Sequence, residues 1–110
     1  MTIELRTYTS TPGRLDDVIT RFRDHTIALL TRHGMDSLAY WTATDREDTL
    51  IYVLRHTGDP TSNWHAFSAD PEWIDAKARS LVNGEIVEHI ESVFMTPTLM
   101  ESSLAAPTAP

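Results

Sequence analysis

Two neighbouring segments, residues 37–44 and 49–57, constrain the fold most strongly, because each is apolar on both of its faces. They are rich in aromatic and β-branched residues, and the polar residues 45–48 between them predict a hairpin with a four-residue loop. One face of the pair would carry Leu38, Tyr40, Leu50, Tyr52 and Leu54, and the other Ala39, Trp41, Ile51 and Val53. An apolar sheet face must be covered, so this sheet needs a packed layer on each side.

Two further segments predict strands at the start and end of the patterned sequence. Residues 2–10 alternate in character, which places Glu4, Arg6 and Tyr8 on one side of the strand. Residues 85–95 also fit a strand, although their apolar residues match a helical period as well. We favour the strand because an antiparallel sheet would otherwise lack its fourth member.

A helical pattern follows the first strand. Residues 11–34 carry an apolar stripe with helical spacing. Thr11 predicts the N-cap, Pro12 the first helical position and Gly34 the residue just after the helix.

The second helical region, residues 60–83, is interrupted within the sequence "FSADPEW". Pro71 has no N–H group and disfavours helical backbone at Asp70, so we interpret the break as a new start that Asp70 caps. Asp59 before Pro60 predicts the cap of the first segment. The break therefore predicts two helices joined at an angle, with a tryptophan on either side of the joint.

The resulting order, β-α-β-β-α-β, is the ferredoxin-like α+β arrangement with a four-stranded antiparallel sheet. Its helices cover only one face of the sheet, so we expect a second copy of the chain to cover the other and form a dimeric α/β barrel. The length of 110 residues suits one domain, which we assign to residues 1–100. We expect residues 101–110 to form a flexible tail and residues 96–100 an arm on the partner subunit.

Composition and patterning exclude several classes of protein. A net charge of −7 would repel a nucleic-acid backbone, and the lack of cysteine excludes disulfides and thiolate metal sites. No apolar run approaches the roughly 20 residues that cross a bilayer, and the first residues do not resemble a secretion signal. We therefore expect a cytoplasmic protein without nucleic-acid or membrane partners. Histidines and acidic residues are not spaced as metal ligands, so no metal site is predicted.

Four segments within residues 3–98 resemble the NIPSNAP family: "IELRTYTSTPGRLDDVITRFRDH", "LLTRHGMDSLAYW", "FSADPEW" and "IESVFMTPT". The first and third are the most specific, because an "ELRTY" strand before a helix start and an "ADPEW" segment at this distance seldom occur together. The resemblance implies the dimeric α/β barrel fold. It implies little about activity, because few members have assigned reactions. Related dimeric α/β barrels include cofactor-independent monooxygenases, isomerases, cyclases and haem enzymes.

His25 is the candidate proton-transfer residue among five histidines. It follows Phe22 by three residues and precedes Leu29 by four, on or beside the inward stripe of the first helix. The competing interpretation is a partly buried histidine that binds backbone or water. Arg6 or Tyr8 would stabilise a developing oxyanion.

Arg6 also has a structural interpretation. The first and last strands are neighbours in this fold, so Arg6 could pair with Glu91 across the sheet. An unpaired Arg6 in a cavity would instead bind a carboxylate or enolate through its fork of donors.

Aromatic side chains supply the candidate pocket, because they fall on the strands and the broken helix that enclose the space between sheet and helices. We expect the angled second helix and its tryptophans to form one wall of this pocket. The candidate substrate-binding residues are Tyr40, Tyr52, His56, Trp64, Phe67 and Trp73.

These observations predict a homodimer that binds, or acts on, a hydrophobic, aromatic or polyketide-like metabolite in bacterial secondary metabolism. Its chemistry would be cofactor-independent acid–base chemistry, as in a monooxygenase, isomerase or cyclase. One alternative is a non-catalytic binding or adaptor domain of NIPSNAP type, whose aromatics only fill the core and leave no ligand-sized cavity. Another is a haem protein with His25, His56 or His89 as the axial ligand.

Overall fold

The computed structural model describes residues 1–99 of the chain. Its strands are β1 (Thr2–Ser10), β2 (Met35–Thr42), β3 (Thr49–His56) and β4 (Val87–Met95). Its helical segments are α1 (Leu15–Arg21), a π-helical turn (Phe22–Thr26), α2 (Ile27–Arg32), α3 (Pro60–Ala69) and α4 (Pro71–Ser80). None of these helices is long and apolar enough to span a bilayer. The predicted element order is present and the final strand is confirmed, whereas the predicted tail, residues 101–110, lies outside the described residues.

The four strands form one antiparallel sheet in the order β2-β3-β1-β4. Within it Arg6 of β1 lies opposite Tyr52 of β3 and opposite Ser92 of β4. Alternate residues of β1, including Arg6 and Tyr8, project towards the helices. The contact between Tyr8 and the first helix shows this direction, since the ring centroids of Tyr8 and Phe22 are 5.4 Å apart. The ferredoxin-like α+β fold predicted from the sequence is therefore confirmed.

The first helix begins later than predicted. α1 starts at Leu15, whereas Thr11 and Pro12 lie in a turn that leads out of β1. Gly13 has a φ of 79°, which is incompatible with a continuous helix from Pro12. The Thr11 N–H donates to the Ile86 carbonyl at 3.0 Å, which holds this turn next to the start of the edge strand β4.

The π-helical turn Phe22–Thr26 changes which residues of the first helix face the sheet. The N–H of the residue after the turn donates to the Phe22 carbonyl, five residues earlier, and Thr26 Oγ1 donates to the Arg21 carbonyl at 3.2 Å. The wider turn rotates the residues that follow, so Thr26 takes the inward position and is 3% exposed. His25 consequently lies beside the inward stripe rather than on it.

The β2–β3 hairpin has a longer loop than predicted. β2 ends at Thr42 and β3 begins at Thr49, so the loop comprises residues 43–48 instead of 45–48. Asp48 has a left-handed φ of 56°, and its carbonyl accepts a hydrogen bond from the Ser10 N–H at 2.8 Å. The loop is longer because β2 ends at Thr42, two residues before the predicted end of the strand, whereas β3 begins at the predicted Thr49.

The break in the second helical region is confirmed, with an aspartate cap at each start. Asp59 Oδ2 accepts the Ser62 N–H at 2.9 Å, and Asp70 Oδ1 accepts the Glu72 N–H at 2.9 Å. Asp70 Oδ2 also lies 2.7 Å from His33 Nε2, just after α2. The hydrogen bond from His33 and then that from the Glu72 N–H lower the pKa of Asp70. The joint between α3 and α4 is therefore tied to the end of the first helix.

The helices cover one face of the sheet, the inner face, and the core lies between these two layers. Its fully buried apolar residues include Val18, Leu30, Met35, Tyr52 and Leu54. The opposite, outer face carries Leu5, Ala39, Trp41, Ile51, Val53 and Val93. No helix of the described residues covers this face, and Trp41 is 43% and Val93 53% exposed.

Candidate functional site

The inner face of the sheet holds a buried carboxylate, Glu4, whose side chain is 1% exposed. Its Oε1 accepts hydrogen bonds from His56 Nε2 at 2.6 Å and from Trp64 Nε1 at 2.8 Å. Its Oε2 accepts from Arg6 Nη1 at 3.0 Å and from the Ser92 hydroxyl. Burial raises the pKa of Glu4, but the four hydrogen bonds outweigh burial and hold the pKa below its usual value. Glu4 is therefore an ionised carboxylate at neutral pH.

His56 is buried and both of its ring nitrogens have partners. Besides the bond from Nε2 to Glu4, its Nδ1 lies 3.2 Å from Asn63 Nδ2. Asn63 Nδ2 also donates to the Thr57 carbonyl at 2.9 Å, which fixes this atom as the amide nitrogen. Nδ1 is thus the acceptor, and the arrangement fits a neutral imidazole with its proton on Nε2. His56 orients Glu4 rather than facing an open cavity.

Arg6 is fully engaged with the inner-face network. Besides Nη1 on Glu4, Nε donates to the Tyr52 hydroxyl at 2.7 Å and Nη2 to the Tyr8 hydroxyl at a long 3.4 Å. The guanidinium carbon also lies 4.2 Å from the centroid of the Trp64 ring. Burial lowers the pKa of Arg6, but Tyr52, Tyr8 and Glu4 outweigh it and the pKa is raised. Arg6 is a permanent cation, and each of its three nitrogens donates one hydrogen bond within the network.

The predicted pair between Arg6 and Glu91 is wrong. Glu91 lies opposite Thr7 in the sheet and therefore on the outer face, whereas Arg6 projects from the inner face. The alternative interpretation, an unpaired Arg6 in a cavity, is also wrong, because Glu4 Oε2 lies 3.0 Å from Arg6 Nη1 and neutralises its charge.

Two tyrosine hydroxyls extend the network from Arg6. The Tyr52 hydroxyl accepts from Arg6 and donates to the Tyr8 hydroxyl at 3.4 Å. Tyr8 is thus an acceptor in both of its hydrogen bonds within residues 1–99, and its own proton has no acceptor there. Tyr40 stacks on Tyr52 with ring centroids 4.9 Å apart. Burial raises the pKa of both stacked tyrosines, that of Tyr40 to about 12.

Trp64, Phe67 and Trp73 pack in a row across the α3–α4 joint. The ring centroids are 5.5 Å apart for Trp64 and Phe67 and 4.7 Å apart for Phe67 and Trp73. Trp64 lies over Arg6, and Trp73 lies 5.1 Å from the guanidinium carbon of Arg21. The break in the helix thus places one tryptophan over each of two cations.

An open cavity of about 360 Å³ lies between α1, α4 and β4, and we call it the Tyr8 pocket. Its apolar wall is formed by Trp73, Val87 and Ile90, and its polar groups include Tyr8 and Arg21. Two of the predicted site residues, Tyr8 and Trp73, line this pocket. Arg6 does not line it, but its Nη2 donates a hydrogen bond to the Tyr8 hydroxyl.

A second open cavity, of about 580 Å³, lies between the first helix and the edge strand β2, and we call it the β2-edge cavity. Its apolar residues include Ile19, Phe22, Ile27, Tyr40, Trp41 and Leu50. Tyr40 is the one predicted site residue in its lining, which includes no member of the Glu4 network. Both volumes lie in the range of about 300–1,000 Å³ that is typical of small-molecule sites.

His25 lies apart from both cavities. It faces a groove where the first helix meets α4, beside Asp24, Asp75 and Arg79. The structure therefore brings Arg6, Tyr8 and the aromatic residues together but does not bring His25 to them. His25 also lines a cavity of about 320 Å³ on the other side of Arg21, next to Ser80. A catalytic role of His25 stays a prediction and requires a ligand in this groove or in that cavity.

Three residues of the site were missing from the sequence-based candidates: Glu4, Ser92 and Arg21. Glu4 shares its strand face with Arg6, so alternation alone placed it inside, where a carboxylate needs donors. The sequence carries no comparable signal for Arg21, which lies just before the π-helical turn. Within residues 1–99 no group of three histidine, aspartate or glutamate side chains could hold a metal ion.

The sheet order, the single helical layer and the inner-face cavities define a ferredoxin-like α+β protein that has space for a small molecule between its layers. The NIPSNAP family model matches residues 3–100, so the chain belongs to the NIPSNAP family. No curated protein matches the chain.

Solved structures support the same fold at low sequence identity. A NIPSNAP domain protein from Burkholderia xenovorans is 23% identical, with a TM-score of 0.74 over 93% of this chain and 99% of that one. A NIPSNAP family protein from Agrobacterium tumefaciens is 18% identical, with a TM-score of 0.77 over 92% and 91%. SnoaB, a cofactor-independent oxygenase from Streptomyces nogalater, is 16% identical, with a TM-score of 0.64 over 90% and 94%.

Proposed function

We propose that the protein is a cytoplasmic homodimer that binds a hydrophobic, aromatic metabolite in the Tyr8 pocket of each subunit. The observation that carries this proposal is the Tyr8 hydroxyl. It accepts hydrogen bonds from Arg6 and Tyr52, and its own proton is directed to no acceptor in residues 1–99. An apolar wall that includes Trp73 lies beside it. A ligand with an oxygen atom next to an aromatic ring would accept the Tyr8 proton in a hydrogen bond and would pack its ring against the apolar wall.

The Tyr8 pocket is a better candidate than the β2-edge cavity, although it is smaller. The β2-edge cavity offers more apolar volume, but none of its lining residues forms a hydrogen bond with Glu4 or Arg6. Binding sites combine an apolar wall with a few polar groups that fix the orientation of the ligand. Tyr8 and Arg21 supply such groups in the Tyr8 pocket.

Turnover at this site would be cofactor-independent acid–base chemistry with Tyr8 as the proton donor. Arg6 Nη2 and the Tyr52 hydroxyl already point at the Tyr8 oxygen, so they would stabilise the phenolate that forms when Tyr8 gives up its proton. Monooxygenase, isomerase and cyclase reactions all include such a proton transfer. SnoaB, which has the same fold, is a cofactor-independent oxygenase, and this analogy supports the class only at the level of fold.

The outer face of the sheet supports the homodimer. It exposes Trp41 and Val93, and its Arg55 is already neutralised by Asp36 at 2.9 Å. A second copy packed face to face would cover the apolar residues without burying an unpaired Arg55. Interfaces of this kind need about 800 Å² from each partner, which is the scale of one sheet face.

Both alternative functions fit the structure less well. An adaptor domain whose aromatics only fill the core would leave no ligand-sized cavity, whereas the described residues form several, including the Tyr8 pocket and the β2-edge cavity. As a haem ligand, His56 would have to break its bond with Glu4 or with Asn63. His89 lines the Tyr8 pocket, but its side chain is 60% exposed on the edge strand and lies 3.2 Å from Glu91, and His25 lies in the outward groove.

The proposal is tested by binding of 2-naphthamide, a neutral aromatic probe, measured by isothermal titration calorimetry and native mass spectrometry. We expect one probe per subunit of a dimer. Val87→Trp fills the Tyr8 pocket and should abolish binding, whereas the matched Ala28→Trp fills the β2-edge cavity and should leave it intact. The opposite pattern would move the site to the β2-edge cavity, and no binding by the unaltered protein would overturn the proposal.

A further inference from the structure

Arg21 is a buried cation without an acidic partner among residues 1–99. It is 6% exposed, and none of the ion pairs in this part of the chain includes it. Nη1 donates to the Ser80 hydroxyl at 3.1 Å, whereas Nε is buried with no hydrogen-bond partner in the described residues. Burial lowers the pKa of Arg21, as expected for a cation whose charge is poorly compensated.

The position of Arg21 relates this uncompensated charge to the Tyr8 pocket. Arg21 forms part of the buried wall of that pocket, and the Trp73 ring lies 5.1 Å from its guanidinium carbon. Tyr8 lines the same cavity. A cation, a tryptophan ring and a tyrosine thus border one space of about 360 Å³.

Acidic residues near this pocket compensate the buried charge only in part. Glu85 and Glu88 lie at its rim and are exposed, as is Lys77. The charge of Glu85 raises the pKa of Arg21, but burial outweighs it and the pKa stays lowered. Charges in contact with water are screened, so Arg21 remains a cation without an acidic contact in the buried part of the pocket.

We propose that Arg21 binds the anionic group of the ligand in the Tyr8 pocket, and that the ligand is an aromatic molecule with a carboxylate or enolate oxygen. This inference rests on the proposed function and adds the ligand class. The anion would accept hydrogen bonds from the guanidinium of Arg21 and from the O–H of Tyr8, while its ring packs on Trp73. A planar guanidinium fork suits both kinds of oxygen.

The energetic cost of Arg21 supports a role in binding. A buried charge without a partner destabilises the fold, and an unbranched apolar side chain of similar length would pack in the same space. Arg21→Met is therefore expected to keep or raise the temperature of unfolding. A residue that the fold does not need for stability is a candidate for recognition of a ligand.

The test compares 2-naphthoate with 2-naphthamide, which share a ring system and differ in charge, by isothermal titration calorimetry on the full chain. We expect the unaltered protein to bind the carboxylate at least about tenfold more tightly than the amide, since a charge-assisted hydrogen bond contributes this much. In Arg21→Met the ratio of the two Kd values should fall to about one. Arg79→Met removes an exposed, paired arginine from α4, and it should leave the ratio unchanged. Arg21→Gln is a second uncharged variant if the Met variant does not fold.

The outcomes separate the inference from the proposed function. If both probes bind equally well and Val87→Trp blocks both, the Tyr8 pocket is the site but Arg21 does not select anions, and the inference is overturned. The inference is also overturned if Arg79→Met abolishes the preference for the carboxylate as Arg21→Met does. The overall charge of the protein would then explain the preference. If neither probe binds, the proposed function fails and the inference fails with it.

Discussion

His56 Nε2 lies 2.6 Å from Glu4 Oε1, and the two side chains are 0% and 1% exposed. A carboxylate so completely removed from water persists as an anion only when its lone pairs are filled, and four donors fill those of Glu4. The polar side chains of the inner face are thus arranged around one negative charge. Arg6 balances that charge and also reaches Tyr8 at the edge of the Tyr8 pocket.

Removal of the Glu4 charge should strongly destabilise the protein. Glu4→Gln keeps the shape of the side chain but leaves Arg6 as an unpaired buried cation and turns an amide N–H₂ towards other donors. We expect the free energy of unfolding in urea to fall by about 3 kcal/mol. The control is Glu72→Gln, which removes a carboxylate that is 67% exposed and should change stability little. Equal losses in the two variants would contradict the buried-network interpretation.

Stability should decline in acid because of the lowered pKa of Glu4. The usual value is 4.5, and the folded-state pKa lies below it, so the unfolded state binds more protons between these two values. The stabilisation is complete above about pH 4.5 and is lost as pH falls through the folded-state pKa. Thermal unfolding from pH 7 to 3 should show a shallower decline for Glu4→Gln than for the unaltered protein. Parallel curves would show that Glu4 does not carry this dependence.

Asp70→Asn separates the helix cap from the ion pairs of Asp70. Asparagine caps helices as well as aspartate does, so α4 should keep its start, while the charge facing His33 and Arg32 is lost. The pKa of Asp70 is lowered from 3.8, so its charge stabilises the fold above that value and loses this effect as pH falls. We therefore expect a modest loss of thermal stability at pH 7 that disappears towards pH 3. Circular dichroism should show unchanged helix content, and a loss of helix at pH 7 would mean that the charge itself is required for the cap.

Tyr40 and Tyr52 should resist ionisation in the folded protein. Burial raises both pKa values, that of Tyr40 to about 12, so the neutral phenols stabilise the fold below pH 10 and lose that effect as pH rises further. Ultraviolet absorbance of phenolate, followed during alkaline titration, should therefore show the Tyr40 phenolate only near pH 12 or on unfolding. Tyr40→Phe should remove this late phenolate. An unchanged amount of phenolate formed near pH 12 in that variant would contradict the raised pKa of Tyr40.

The sequence predicted the fold, the shared strand face of Arg6 and Tyr8 and the break between helices, because these features depend on period-two patterns and turn chemistry. Alternation in residues 2–10 placed Arg6 and Tyr8 on one face, and the Asp70–Pro71 pair marked the break between helices. These signals are local, so a single sequence contains them.

The placement of His25 depends instead on the π-helical turn between α1 and α2. One extra residue in that turn rotates His25 towards α4, and no glycine or proline in residues 22–26 signals it. Likewise, the face of Glu91 depends on the register between β1 and β4, which a single sequence does not specify. Long-range register and helix irregularity therefore limited the predicted site.

A charge on the outer face of the sheet should dissociate the proposed dimer. Val93 is 53% exposed on that face, and a second copy packed against it would bury this side chain. Val93→Lys would then place an ammonium group in an apolar interface, while in a separate subunit the lysine simply contacts water. We expect native mass spectrometry and sedimentation velocity to show a dimer for the unaltered protein and mainly monomer for Val93→Lys. Val82→Lys, at a position that is 78% exposed and away from the sheet, is the matched control and should stay dimeric. If Val93→Lys also remains a dimer, the two copies associate through another surface. If the unaltered protein is a monomer, the outer face has a different partner.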